Sequence, residues 1–239
     1  MEIRFHGHSC FELSEGETRL LVDPFLKPNN PAAVASADEV NPTHVALSHG
    51  HADHLADAVA VAKRTGAHCV AIVELANWLE GQGVEEVSDP NLGGTIEFDW
   101  GWIKLVPAWH TSTAPGSEEA PYSAEHGVSL GHAAGLVIRI GGTTVYHTGD
   151  TCLFGDMKLI AERNPVDVAL MPIGGHYTMD RHDAAVAAEL IGAPTAIPMH
   201  YDTFPPIETD AEAFRKEVES KTSSQVVLLQ PGERFSASA

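Results

Sequence analysis

Four apolar β-type runs in this chain each lead to a side chain able to bind metal. Val45-Ala46-Leu47 precedes His49, Trp102–Val106 precedes His110, Thr143–Tyr146 precedes Asp150, and Ala196–Pro198 precedes His200. In layered α/β folds such strand ends gather at one rim, where sites normally form. The chain is therefore constrained to a fold that carries four distant strand ends to one place.

The first of these ends is the densest. Leu47-Ser-His-Gly-His-Ala-Asp-His-Leu-Ala-Asp57 places His49, His51, Asp53 and His54 within six positions. Gly50 is expected to permit an unusual backbone conformation in the turn. Asp53 and His54 are expected at the start of a helix over Leu55–Thr65. Residues i and i+2 of an extended turn point the same way, whereas i+4 and i+5 have moved onto the helix, so the four groups can split into two pairs facing two metals. Imidazole and carboxylate suit Zn²⁺, Fe²⁺ or Mn²⁺, and the lack of thiolate argues against a purely structural zinc.

The remaining β-type runs are Glu2–His6, Cys10–Leu13, Arg19–Val22, His68–Val73, Thr95–Phe98, Leu136–Ile140, Val168–Met171 and Gln225–Leu228. Helical periodicity marks Ala76–Gly81, Phe154–Arg163, His182–Ile191 and Asp210–Lys221, with Asp180 or Asp183 as a cap and Gly192 as a stop. The order is β-rich, then βα, then β-rich, then βα repeated. This predicts two packed sheets with helices outside. No linker composition divides residues 1–239, so one domain is expected. Thr111–His132 lacks periodicity and reads as a long loop.

Charge and composition exclude several functions. The formal net charge is −19, from 14 basic and 33 acidic side chains, which disfavours nucleic acid and anionic lipid as partners. No run approaches the roughly 18–20 apolar residues of a membrane span. The opening MEIRFHGHSCFEL does not read as a signal peptide, so a cytoplasmic location is expected. Cys10, Cys69 and Cys152 form no CxxC pattern. No GxGxxG, GxxxxGK[ST] or GxSxG motif is present, which removes support for nucleotide binding and for a serine triad.

The HxHxDH motif, followed by a strand-end His, a TGD-type Asp and a C-terminal His, resembles the metallo-β-lactamase superfamily. The resemblance implies a four-layer αββα sandwich. It also implies that His49, His51 and His110 hold one metal, Asp53, His54 and His200 another, and that Asp150 bridges them. FHGHSCFEL, LLVDPF, HGHADHLADAV, GDTCLFGDMKLI, MPIGGHYTM and PMHYDTFPPI narrow the likeness to short metal-dependent hydrolases related to the L-ascorbate-6-phosphate lactonase and, more distantly, to N-acyl phosphatidylethanolamine phospholipase D. This chain departs from that group in a longer, more polar Thr113–His132 and in Cys152, where the pattern more often has Gly.

The expected activity is hydrolysis of an ester, lactone or phosphodiester bond in a small-molecule substrate. Two divalent ions, zinc foremost and manganese or iron as alternatives, would lower the pKa of a shared water. Asp53 is expected to orient that water or accept its proton. His8 and His176, each beside glycines, are candidates for substrate binding or proton transfer. Asp23 and His147 are candidates for orienting ligands, and Tyr201, Asp202 and Thr203 for lining the pocket. The alternative on the same fold is a non-haem iron oxidoreductase. Homo-oligomerisation is common among soluble enzymes and is compatible with the sequence.

Overall fold

The computed structural model describes residues 1–114 and 128–237. Its first sheet contains β1 (Glu2–Gly7), β2 (Cys10–Glu15), β3 (Thr18–Val22), β4 (His44–Ala46), β5 (His68–Val70) and β6 (Val87–Ser88) in chain order, and the last strand, β14 (Arg234–Ser236), pairs outside β1. The second sheet contains β7 (Thr95–Phe98), β8 (Gly101–Pro107), β9 (Ala134–Ile140), β10 (Thr143–His147), β11 (Val168–Pro172), β12 (Thr195–Met199) and β13 (Gln225–Val226), also in chain order.

Both sheets follow one plan. An antiparallel meander, β1 to β3 or β7 to β10, passes into parallel strands, β3 to β6 or β10 to β13. Two antiparallel steps restore direction, so β1 runs with β3 and β4, and β8 runs with β10 and β12. The strand ends identified in the sequence therefore all emerge at one rim.

Side-chain alternation builds the layers. Val168 and Leu170 of β11 enter a core shared with Ile3, Leu13 and Leu21 of the first sheet. Ala169 and Met171 face the opposite way, into a second core with Ala184, Ala188, Phe214 and Val218. Those last residues belong to α5 (Arg181–Ile191) and α6 (Ala211–Lys221); α5 packs against both α6 and α4 (Met157–Arg163). On the first half lie α1 (Ala52–Leu55), α2 (Ala58–Thr65) and α3 (Val73–Gly81), whose Leu55, Val61, Leu75 and Leu79 join the first core. The architecture is the αββα sandwich expected. Asp180 caps α5 by accepting from the His182 and Asp183 N–H groups, and Gly192 ends it at φ +65°.

Four local departures have physical causes. The helix expected over Leu55–Thr65 is two helices, because the segment before it competes at Asp57. Its carboxylate accepts from Leu26 N–H at 2.6 Å and from Asn29 Nδ2 at 2.9 Å, while its own N–H donates to Pro24 O. The run His68–Val73 stops as a strand at Val70, and Val73 instead begins α3; a short apolar run does not by itself distinguish the two. The edge strands β6 and β14, of two and three residues, are too short to leave a periodic signal. Finally, the ends of the expected long loop pair through a Thr113–Ser129 bridge and an Ala114 N–H to Val128 O bond of 2.8 Å, whereas 115–127 lie outside the described residues. No helix among the described residues is long and apolar enough to cross a membrane.

Candidate metal centre

Three residues at the rim share an unusual backbone. His8 follows β1, Asp23 follows β3 and His200 follows β12, with φ of 59°, 47° and 54°. Non-glycine residues rarely occupy this left-handed region, and each costs about 1 kcal/mol or more when held there. The conformation turns the chain sharply off each strand end. His200 N–H donates to His8 O at 2.8 Å and Ala134 N–H to Ser48 O at 2.9 Å, joining the two halves across the rim. His147 Nε2–H donates to Ser9 O at 3.1 Å while its Nδ1 accepts from Gly149 N–H at 3.2 Å. His147 thus braces the turns that carry His8 and Asp150 rather than touching Asp150.

Gly149 itself sits at φ +65°, and a Cβ there would lie 2.5 Å from Ala134 O. Gly50 differs from its expected role. Its φ is not in the left-handed region; what it provides is room, since a Cβ would lie 2.4 Å from Leu130 Cδ1.

The structure brings His49, His51, Asp53, His54, His110, Asp150 and His200 together in two lobes. His49 Nε2 lies 3.0 Å from His51 Nδ1, which lies 3.2 Å from His110 Nε2. In the other lobe, donor atoms of Asp53, His54, His200 and His8 all fall within 4.8 Å of one another. Asp150 Oδ2 stands between the lobes, 3.0 Å from His200 Nε2, 3.4 Å from His54 Nε2, 3.7 Å from His110 Nε2 and 4.0 Å from His49 Nε2.

Tautomers follow from the surrounding hydrogen bonds. His54 Nδ1–H donates to Asp23 Oδ2 at 2.7 Å, which points Nε2 towards Asp150. Ser48 Oγ–H donates to the same Asp23 oxygen at 2.6 Å, so Ser48 Oγ accepts from His49 Nδ1–H at 3.0 Å and the His49 Nε2 lone pair faces His51. His8 is saturated: Nε2–H donates to Asp53 Oδ2 at 3.0 Å and Nδ1 accepts from Thr203 Oγ1–H at 2.9 Å. It is placed to hold Asp53 and has no ring nitrogen left to offer a cation.

The chemistry of the cluster fits a cation. His54 Nε2, both His200 ring nitrogens and Asp150 Oδ1 are buried without a hydrogen-bond partner, although each such group ordinarily costs about 1–3 kcal/mol when left unsatisfied. Burial opposes charge on Asp150 and Asp53, but His200 and His54 around the first, and His54 beside the second, outweigh it and hold both carboxyls well below their usual range. Burial likewise opposes protonation of His200, yet Asp150 overcomes it and raises the group to about 9. Burial and neighbouring imidazoles instead lower His49 well below its ordinary value and His51 to about 4. These two rings are neutral near pH 7, the form that binds metal.

A cleft of about 570 Å³ opens over the centre, lined by His51, Asp53, His110, Thr111, Asp150, Tyr177, His200, Phe204 and Pro206. Tyr177, Phe204, Pro206 and Thr111 were not singled out in the sequence as walls, since they lie on loops or on the 3₁₀ turn Pro205–Ile207, where no periodicity marks them. His176 is exposed, packs edge-on against Tyr177 at 4.4 Å between ring centroids, and does not line the cleft. Cys152 is exposed and outside the lining; its N–H donates to Trp109 O.

Residues 2–200 match a family model described as a beta-lactamase superfamily domain. A UPF0173 metal-dependent hydrolase of Methanopyrus kandleri is 48% identical over 236 residues, covering 98% of this chain and 99% of the relative. One from Shouchella clausii is 43% identical, with 98% of both chains covered. Among solved structures, a metallo hydrolase of the hyperthermophilic archaeon Ignicoccus hospitalis superposes with a TM-score of 0.85 at 34% identity, covering 99% of each chain.

Proposed function

Because the chain belongs to the metallo-β-lactamase superfamily and, within it, to the UPF0173 metal-dependent hydrolases, we propose that it cleaves an ester, lactone or phosphodiester at a dinuclear centre built from the seven converging donors. The chain is a metal-dependent hydrolase; the number of ions and the bond cleaved are the proposed part. The observation that carries the reading is the position of Asp150 Oδ2, between the imidazoles of His49 and His110 on one side and those of His54 and His200 on the other. His49, His51 and His110 would hold one ion, Asp53, His54 and His200 the other, with Asp150 shared.

Two divalent ions there, zinc foremost with manganese and iron also suited to the donor set, would lower the pKa of a water towards neutrality and polarise the bond under attack. Asp53 lines the cleft and would accept the proton of the attacking water and return it to the leaving oxygen. His8, fully buried behind it, positions Asp53 through the 3.0 Å bond and is itself fixed by Thr203. His176, outside the cleft lining, is given no part in this step.

Elemental analysis of protein purified without added metal, followed by an ester, lactone and phosphodiester panel with each reconstituted ion, tests the reading. Two equivalents per chain are expected, and Asp150→Ala is expected to lose both stoichiometry and turnover. A variant that keeps two tightly bound ions and full activity would sink the shared role of Asp150. The iron oxidoreductase alternative is not favoured, since relatives 43% and 48% identical over nearly the whole chain are named metal-dependent hydrolases.

A further inference from the structure

One wall of the cleft is apolar and preformed. Phe204 packs edge-on against His8 at 5.6 Å and meets Phe25 at 6.4 Å between ring centroids, so it is held in place from behind. Pro206 and the half-exposed ring of Tyr177 extend this wall. The volume of about 570 Å³ suits a small organic molecule.

The cleft lining also contains no Lys or Arg. The segments supplying its residues, 28–62, 105–138, 140–157, 164–180 and 182–214, contain none of the chain's 14 Lys and Arg residues. Arg181, the cation just beyond one of these segments, is engaged with Glu217 at 3.2 Å on α6. Proteins that recognise a phosphate or carboxylate away from the reacting bond normally supply a guanidinium or ammonium for it. A separate anion lying away from the proposed ions, against the apolar wall, would meet no Lys or Arg to pair it, and desolvating an unpaired anion is costly. The net charge of −19 adds long-range repulsion.

We propose that the substrate is an uncharged carboxylic ester or lactone whose apolar substituent lies against Phe204, Pro206 and Tyr177, and that molecules carrying a separate anionic group are rejected. This rests on the hydrolase reading above. In the reaction the oxygen of water bonds to the acyl carbon and the acyl carbon–oxygen bond breaks. One proton of the water leaves on the alcohol oxygen, giving an acid and an alcohol, which for a lactone are one molecule.

The test compares four para-nitrophenyl probes on the metal-reconstituted full chain: the hexanoate ester, the acetate ester, the mono-ester of adipic acid, and the bis-ester of phosphate. The hexanoate is expected to exceed the carboxylate-ended adipate in kcat/KM by about thirtyfold or more, as for a like-charge clash at a recognition site. Phe204→Ala is expected to lower the hexanoate-to-acetate ratio about tenfold, and Phe204→Leu, which keeps a side chain on the wall, by less. A second readout needs no turnover: calorimetric binding of N-hexylacetamide to the metal-free protein should weaken about tenfold in Phe204→Ala. Adipate or phosphate probes cleaved as fast as the hexanoate would overturn the substrate class while leaving the hydrolase standing. An unchanged ratio together with unchanged amide affinity would overturn the role of the wall. Failure on all four probes with two ions bound would remove the ester reading and this proposal with it.

Discussion

Asp23 and His54 are joined by a 2.7 Å hydrogen bond inside the protein, and the same carboxylate oxygen takes a 2.6 Å bond from Ser48, which in turn holds His49. One buried carboxylate thereby sets the ring orientation of two histidines that face different lobes. Asp23→Asn suits the test, because asparagine tolerates the left-handed backbone at this position, φ 47°. Zinc affinity, measured by chelator competition, is expected to fall about 10–100-fold. Unchanged affinity would mean that packing alone holds the rings.

Removing metal should cost stability. The unpartnered atoms of His54, Asp150 and His200 are buried, and an ion that binds only the folded chain adds about 2.7 kcal/mol when present at one hundred times its Kd. Thermal unfolding before and after exhaustive chelation, with readdition of zinc, is expected to show a reversible fall in Tm. An identical Tm in both forms would argue that the cluster does not bind zinc in the folded protein.

A pH effect is expected from a group outside the cleft lining. His6 is fully buried with neither ring nitrogen hydrogen-bonded, and burial, then Arg4 and Arg234, lower it from 6.5 to about 4. Between those values the unfolded chain binds a proton that the folded chain refuses. Stability from this group is therefore complete above pH 6.5 and is lost as pH falls towards 4, by on the order of 2–3 kcal/mol. Urea unfolding of wild type and His6→Leu at pH 7 and pH 5 should show a smaller acid loss in the variant; equal losses would contradict the assignment.

Gly149→Ala is expected to be among the more damaging single-methyl additions. The backbone at φ +65° disfavours a side chain, and the new methyl would meet Ala134 O, a backbone atom with little freedom to move. The cost should exceed about 2 kcal/mol, read from denaturant midpoints. Since Gly149 precedes Asp150, zinc affinity should fall as well. A variant with wild-type midpoint and affinity would show that the Ala134 segment can yield.

The convergence of seven side chains was legible in the sequence because each ends an apolar run or sits in one dense motif, and strand direction does the rest. The β-rich-then-βα order of both halves was legible where strand-type runs give way to helical periodicity, whereas the parallel pairing of the later strands was first seen in the structure. The left-handed turns at His8, Asp23 and His200 were not, since no residue type announces them where histidine or aspartate stands in place of glycine. Neither was the break at Asp57, which arises from hydrogen bonds to residues about thirty positions away. The apolar wall left no signal in the sequence because Tyr177, Phe204 and Pro206 lie outside strands and α-helices, where pattern carries no information.

The joint between His200 N–H and His8 O has a consequence for how the protein matures. The proposed donors are spread from His49 to His200, on two sheets that share one core and that this rim bond ties together. A chain still emerging from the ribosome would hold scattered histidines, with no cavity to select among ions, until β12 had been made and docked. Loading is then a late event, performed by an already folded cavity. The choice of metal would be governed by the ions accessible to the finished protein rather than by whatever an unfolded, histidine-rich segment encounters first.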